Sequence, residues 1–315
     1  MKIDDKKTLS NLLKIPSTEI LLNEDLKNHT TFKLSNSFAK GIIVCNTNSS
    51  LLKTLKVLKN KNSYSKNSKT HLKGKENLIL GCGSNVVFKD NFYDNYIIKL
   101  GKNFKKIILT KKYVEVGAGV NLFVLNKFLL NNSLCGLEWS FGIPGSVGGA
   151  VIMNAGAFNH SFLEFALEVK VLCDGKIFWE KNFSFSYRNS SFKENKNIVL
   201  AVRLKLEKGK KEDILENQKQ YFERRLSSQP QEFSAGSVFK HVFIDGNILY
   251  PAKMIDNLGL KGVKIGDAEI STKHAGFIVN KKNATSTDVL ALIDLIEKEV
   301  EKNYKVKLQR EIEII

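Results

Sequence analysis

Arginine is scarce in this chain. Only Arg188, Arg203, Arg224, Arg225 and Arg310 occur among 315 residues. The net charge is nevertheless +17, from 49 basic and 32 acidic residues, so the excess is carried by lysine. A basic excess invites a polyanionic partner. Here, though, the lysines are dispersed rather than blocked, and no nucleic-acid-binding motif accompanies them. Lys, Asn, Ile and Phe are all abundant and share A/T-rich codons. Such an excess bears on solubility and non-specific attraction rather than on fold, and it suits an acidic small ligand equally well. Cysteine is sparse too. Cys45, Cys82, Cys135 and Cys173 form no C-x-x-C pair and stand in no Cys/His spacing suited to zinc. They read as reduced thiols of a cytosolic protein, and no metal site is expected. The opening MKIDDKKTLSNLLKI lacks the apolar core of a signal peptide. No run approaches the ~20 apolar residues of a membrane span. These absences lead us to expect a soluble, cytoplasmic protein.

What is present is enough apolar material to fill cores: 43% hydrophobic and 10% aromatic residues, which excludes global disorder. The length favours two or three domains over one core. Apolar periodicity predicts strands at 38–45, 77–80, 96–100, 106–109, 113–116, 168–173, 176–180, 198–206 and 306–315. It predicts helices at 50–58, 121–131, 210–227, 252–257 and 286–304, the last with Val289, Leu292, Ile293, Ile296 and Val300 on one face. The first thirty residues are polar and partly helical in pattern. The Lys/Asn/Ser-rich stretch 60–75 reads as a surface loop.

Two glycine-rich stretches interrupt this order. Gly81-Cys82-Gly83-Ser84-Asn85 follows a strand. Glycine permits positive φ and close approach to a ligand, and successive N–H groups in such a turn suit a pyrophosphate. Alone, a Gly-x-Gly is equally a tight turn, and it is neither a P-loop nor a Rossmann fingerprint. The second stretch, Ile143-Pro144-Gly145-Ser146-Val147-Gly148-Gly149-Ala150, runs on to Asn154-Ala155-Gly156-Ala157. So many small residues leave room for a cofactor along the backbone, or for close packing of one element on another.

In this order the two stretches resemble the enolpyruvyl-UDP-N-acetylglucosamine reductases. Further motifs agree: His29-Thr30-Thr31-Phe32, Ser186-Tyr187-Arg188-Asn189-Ser190-Ser191-Phe192, Ser234-Ala235-Gly236-Ser237-Val238-Phe239-Lys240, Lys273-His274-Ala275-Gly276-Phe277 and Leu308-Gln309-Arg310-Glu311-Ile312. The resemblance covers residues 25–315. It implies an α+β chain: a two-lobed FAD-binding region of the PCMH/vanillyl-alcohol-oxidase kind (1–105 and 106–208), then a C-terminal α/β substrate-binding domain (209–315). It implies non-covalent FAD, NADPH as co-substrate, a UDP-sugar as substrate, and a monomer without nucleic-acid or membrane partners. The cofactor would lie along Gly81, Cys82, Gly83, Ser84, Asn85, Gly145, Ser146, Gly148, Gly149 and Ala150. Arg188 would clamp the substrate carboxylate, Ser237 would give the proton to C2, and Glu311, rather than Glu313, would assist. Tyr187, Lys240 and His274 are weaker candidates for substrate contact.

The chain departs from the pattern in places. His241-Val242 stand where Asn-Pro is usual, which puts one diphosphate contact in doubt, and Asp267 replaces a glycine. The short spacing after Tyr187-Arg188 fits the branch lacking an insertion that carries a substrate-capping tyrosine. The alternatives are another FAD oxidoreductase of the two-lobed group, with a different C-terminal domain and often covalent flavin, and a basic nucleic-acid-binding protein.

Overall fold

The chain is described by a computed structural model covering residues 3–63, 78–89, 91–244 and 246–315. Its first sheet has the order Thr18–Asp25, Ser37–Cys45, Asn91–Leu100, Leu78–Ile79. The outer pair with Thr18–Asp25 is antiparallel and the others are parallel. Ser37–Cys45 is central and buried on both faces, which is why it reads as an almost unbroken apolar run. Its one charge, Lys40, is accounted for. The ammonium pairs with Asp5 of the helix Ile3–Leu13 at 2.6 Å and sits 5.9 Å from the Tyr96 ring centroid.

The second sheet is antiparallel, in the order Lys176–Glu180, Ala166–Cys173, Ile198–Leu204, Val114–Gly117, Ile107–Leu109. The helices Leu122–Asn131 and Val147–Ile152 share its core with Trp139, Phe162 and Val202. Leu172 and Leu200 of this sheet also join the core of the first, so the two lobes share one apolar seam. The third sheet, Lys264–Ile265, Ala268–Ile270 and Ile278–Asn280, packs against the helices Pro251–Asn257 and Ser286–Tyr304. The second of these helices starts at a capping box, with Asp288 N–H donating to Thr285 Oγ1 and Thr285 N–H to Asp288 Oδ2. Its five expected apolar residues are all buried.

Several expectations are corrected. The first thirty residues contain a helix and also the strand Thr18–Asp25. That strand lies at the sheet edge, half exposed, so its apolar alternation is faint. The helix Asn48–Ser63 continues through 60–63, where a loop was expected; 64–75 of that stretch lie outside the described residues. The segment 306–315 is extended, but only Glu313–Ile314 pairs as a strand, because its other hydrogen bonds go to separate elements.

Two segments cross between the expected domains. The helix Lys211–Ser228 lies on the second lobe, with Gln218 Nε2 donating to the Asn126 carbonyl and Phe222 edge-on to Phe141. Residues 31–35 run into the third core. There Phe32 and Leu34 are buried, Thr31 Oγ1 donates to the Ser234 carbonyl, and Asn280 Nδ2 donates to the carbonyls of Phe32 and Lys33. Phe32→Ala removes a buried aromatic from a core built otherwise of Leu34, Val87 and C-terminal residues. We expect a loss of about 3–5 kcal/mol in urea unfolding, accompanied by weakened amide-exchange protection in the helix Ser286–Tyr304 rather than in the first sheet.

Candidate active site

The hairpin Phe185–Ser186/Asn189–Ser190 carries Tyr187 and Arg188 at its tip. Arg188 has φ 55°, a left-handed conformation that costs a non-glycine residue roughly 1–2 kcal/mol. The hairpin is pinned from behind: Asn154 Nδ2 donates to the Ser186 carbonyl at 3.0 Å and Ser190 Oγ to the Ile152 carbonyl at 2.8 Å. Gly156 faces it, and a Cβ there would lie 2.5 Å from the His160 carbonyl oxygen and 3.2 Å from Arg188 Nη1. A side chain is therefore excluded at Gly156.

Arg188 Nε donates to Glu311 Oε1 at 2.6 Å, and both side chains are largely buried. Burial pushes the Glu311 carboxyl above the usual range, while Arg188, Lys240 and Lys193 hold it down. Glu313 points elsewhere, paired with Lys193 at 2.6 Å and half exposed. The segment that follows Ser237 pairs with the one that carries Glu311. Glu311 N–H donates to the carbonyl of Val238 at 2.7 Å, and Lys240 N–H to that of Gln309 at 2.8 Å. The Ser237 hydroxyl donates to the Phe239 carbonyl at 3.3 Å.

Tyr187 lies 5.1 Å from the Arg188 guanidinium and stacks on His241 at 5.1 Å. Its hydroxyl accepts from the His241 N–H at 3.3 Å. Burial, then the neighbouring Arg188, pushes the His241 imidazole down, keeping it neutral. His274 is not part of this cluster. Its Nδ1 accepts from the Gly276 N–H at 3.1 Å and its ring meets Phe277, a turn-building role that explains its burial.

The glycine-rich stretches face each other. A Cβ on Gly81 would collide with Ser146 Oγ, and one on Gly83, at φ 64°, with the His29 carbonyl. The amides of Cys82, Gly83 and Ser84 find no acceptor among the described residues. Gly145 lies beside Ser84, 3.5 Å from its hydroxyl to an added Cβ. In the second stretch the donors of residues 147–150 are already used. Val147 N–H goes to Val120, Gly148 N–H to Ala118 and Gly149 N–H to Ser146 Oγ, and Ala150 N–H closes the first turn onto Ser146. Gly148 packs on Ala118, where a Cβ would come within 3.0 Å of the Ala118 Cβ. Gly148 thus serves close packing, and the N–H groups without an acceptor among the described residues are those of the first turn with Gly145 and Ser146 opposite. Free amides in a turn whose residues 81 and 83 carry no side chain fit the diphosphate of a flavin dinucleotide.

Comparison with known proteins agrees with this geometry. Residues 70–179 match the FAD binding domain family, and residues 229–315 match the C-terminal domain of UDP-N-acetylenolpyruvoylglucosamine reductase. The UDP-N-acetylenolpyruvoylglucosamine reductase of Thermosipho melanesiensis is 38% identical over 313 residues, 98% of this chain and 99% of that protein. The chain belongs to the UDP-N-acetylenolpyruvoylglucosamine reductase family. The Thermotoga petrophila reductase is 44% identical over 239 residues, 75% of this chain and 83% of its own length. The crystal structure of the Thermus caldophilus reductase superimposes with a TM-score of 0.76 at 31% identity, covering 94% of this chain and 98% of that one. As a member of this reductase family the chain is an FAD-dependent oxidoreductase of peptidoglycan synthesis. No described helix is long and apolar enough to cross a membrane.

Sequence reading missed two features of this reductase. Asn154 and Gly156 brace Arg188, and only their place in a small-residue run hinted at it. Arg225 is the other: its Nε and Nη2 are buried without a partner among the described residues, 5.8 Å from the Phe158 ring to Cζ. Nothing in its helical spacing marks it.

Unpairing Glu311 has a pH signature. In Arg188→Met the buried carboxyl loses its cation and titrates still higher in the folded state than in the unfolded chain. The folded state then holds more protons in that window, so stability falls as pH rises through it and returns at lower pH. Urea unfolding should show Arg188→Met losing about 3 kcal/mol at about pH 8 and far less at about pH 4. Adding Glu311→Gln should abolish this pH dependence.

Proposed function

We propose that the chain reduces the enolpyruvyl group of UDP-N-acetylenolpyruvoylglucosamine to give UDP-N-acetylmuramate, with NADPH as hydride source. The reading rests on the Arg188–Glu311 pair, a permanent cation beside a desolvated carboxyl at one point of the chain. Bound FAD, held non-covalently, supplies the chemistry of relaying hydride from NADPH to C3 of the substrate double bond. Everything else falls to side chains. Arg188 keeps its Nε on Glu311, which leaves its Nη edge for the substrate carboxylate. There it faces the negative charge that spreads from C2 into the carboxylate after hydride addition. Ser237 gives its hydroxyl proton to C2. In this reading the carboxyl of Glu311, raised by burial, replaces that proton, and the positive charge of Lys240 steadies it.

Tyr187 and His241 form an aromatic wall next to Arg188 for the substrate, with Lys240 as its phosphate contact. Gly81, Cys82, Gly83, Ser84 and Asn85 take the FAD diphosphate, with Gly145 and Ser146 opposite. We read the domains as 1–105, 106–208 and 209–315, with 31–35 and 211–228 leaning across these boundaries.

Stopped-flow absorbance of the two half-reactions tests the proton donor. Ser237→Ala should leave flavin bleaching by NADPH near the wild-type rate and slow the return of flavin absorbance on adding substrate by about 10²–10⁴. Equal slowing of both halves would remove Ser237 from the protonation step. A reconstituted protein that bleaches with NADPH but never recovers with this substrate would remove the substrate assignment.

A further inference from the structure

A second cluster of ionisable groups, away from Arg188, converges on the Gly81–Asn85 turn. Lys99 lies on the strand Asn91–Leu100, beside the strand Leu78–Ile79 that leads into the turn. Its ammonium is 3.2 Å from His29 Nδ1, and His29 Nε2 is 3.0 Å from Glu24 Oε2. An ammonium only donates, so Nδ1 accepts and Nε2 carries the hydrogen given to Glu24. Glu24, His29 and Lys99 thus form a directed chain, and the carbonyl of the same His29 packs against Gly83 of the turn. Lys105 approaches from the other side. Its Cγ lies 3.2 Å from the site of an added Cβ on Gly119, and Asn121, two residues on, donates to Cys82 Sγ at 3.7 Å. Neither lysine has a carboxylate at ion-pair distance among the described residues. Burial lowers the Lys99 ammonium below its usual range and Lys105 adds to this, while burial raises the Cys82 thiol between them. Free amides and two uncompensated cations around one turn leave a deficit that an anion would fill.

We propose that Lys99 and Lys105 hold the FAD diphosphate on the amides of Cys82, Gly83 and Ser84, with the Glu24–His29 pair fixing Lys99 in place. This rests on the reading that the turn takes the diphosphate. Lys99 and Lys105 are binding residues here, and His29 is a positioning residue.

The test is FAD titration of flavin-free protein by fluorescence quenching, with ³¹P spectra of the bound cofactor and thermal melting of the flavin-free forms. Lys99→Met should weaken FAD binding about ten- to a hundred-fold, as loss of a charge-assisted hydrogen bond does, and shift the diphosphate resonances. Lys99→Arg, which keeps the charge, should restore most of the affinity. Lys105→Met should flatten the salt dependence of binding with a smaller loss. His29→Ala should give part of the Lys99→Met loss in the wild-type background and none in the Lys99→Met background. Wild-type affinity and resonances in Lys99→Met would overturn the proposal. So would a loss accompanied by an equal fall in melting temperature of the flavin-free protein and no rescue by arginine. Failure of the wild-type chain to bind FAD would instead overturn the placement of the cofactor itself.

Discussion

Glu311 stays where it is because the extended segment that carries it is hydrogen-bonded on both edges. On one edge Glu311 N–H reaches the carbonyl of Val238, and the carbonyl of Gln309 receives Lys240 N–H. On the other edge Asn85 donates its side-chain N–H to the carbonyl of Glu311, and Glu313 and Ile315 donate to the carbonyls of Asn85 and Val87. Each bond contributes only about 1 kcal/mol net, but together they fix a register. The segment that follows Ser237, the Asn85 end of the glycine turn and the backbone of Glu311 are thereby held in one register before any side chain is considered. Arg188 then closes the arrangement from the second lobe.

The site concentrates costs that the surrounding fold has to carry. Arg188 sits at positive φ, Glu311 is desolvated, and Gly156 admits no side chain. Unfavourable local conformations persist only where neighbours over-determine them, and Asn154, Ser190 and the 310–315 segment do that here. The strap through Phe32 adds a further tie. It carries the chain into the third core, so the Gly81–Asn85 turn, flanked by His29 and Thr30, cannot drift from that core.

Much of this was legible in the residues. The 3.6-residue spacing of Val289, Leu292, Ile293, Ile296 and Val300 marked a helix face that is wholly buried, and the apolar run at 38–45 marked a central strand. Arg188, Ser237 and Glu311 were legible only as parts of ordered motifs, since nothing in local pattern distinguishes them from surface residues, and the meeting of Arg188 with Glu311 is set by long-range pairing. What escaped did so for physical reasons. The strand Thr18–Asp25 is an edge with a weak alternation. The helix Val147–Ile152 holds two glycines of low helical propensity and survives through its Ser146 cap and close contact with Ala118. The segment 306–315 has strand-like composition but divides its bonds among unlike partners. The burial of Arg225 Nε and Nη2, with only Nη1 bonded to Gln229, depends on neighbours distant in sequence such as Phe158 and Gly142.

The tip of the hairpin has one more consequence. A left-handed position is filled most cheaply by glycine or asparagine, and the buried Glu311 needs a cation only while it remains a carboxylate. A pair of exchanges, Arg188→Gly with Glu311→Gln, would relax the turn and remove a desolvated charge together. Selection for heat tolerance alone would therefore reward dismantling this corner of the molecule. Resistance to unfolding and a charged pair at this turn therefore pull in opposite directions.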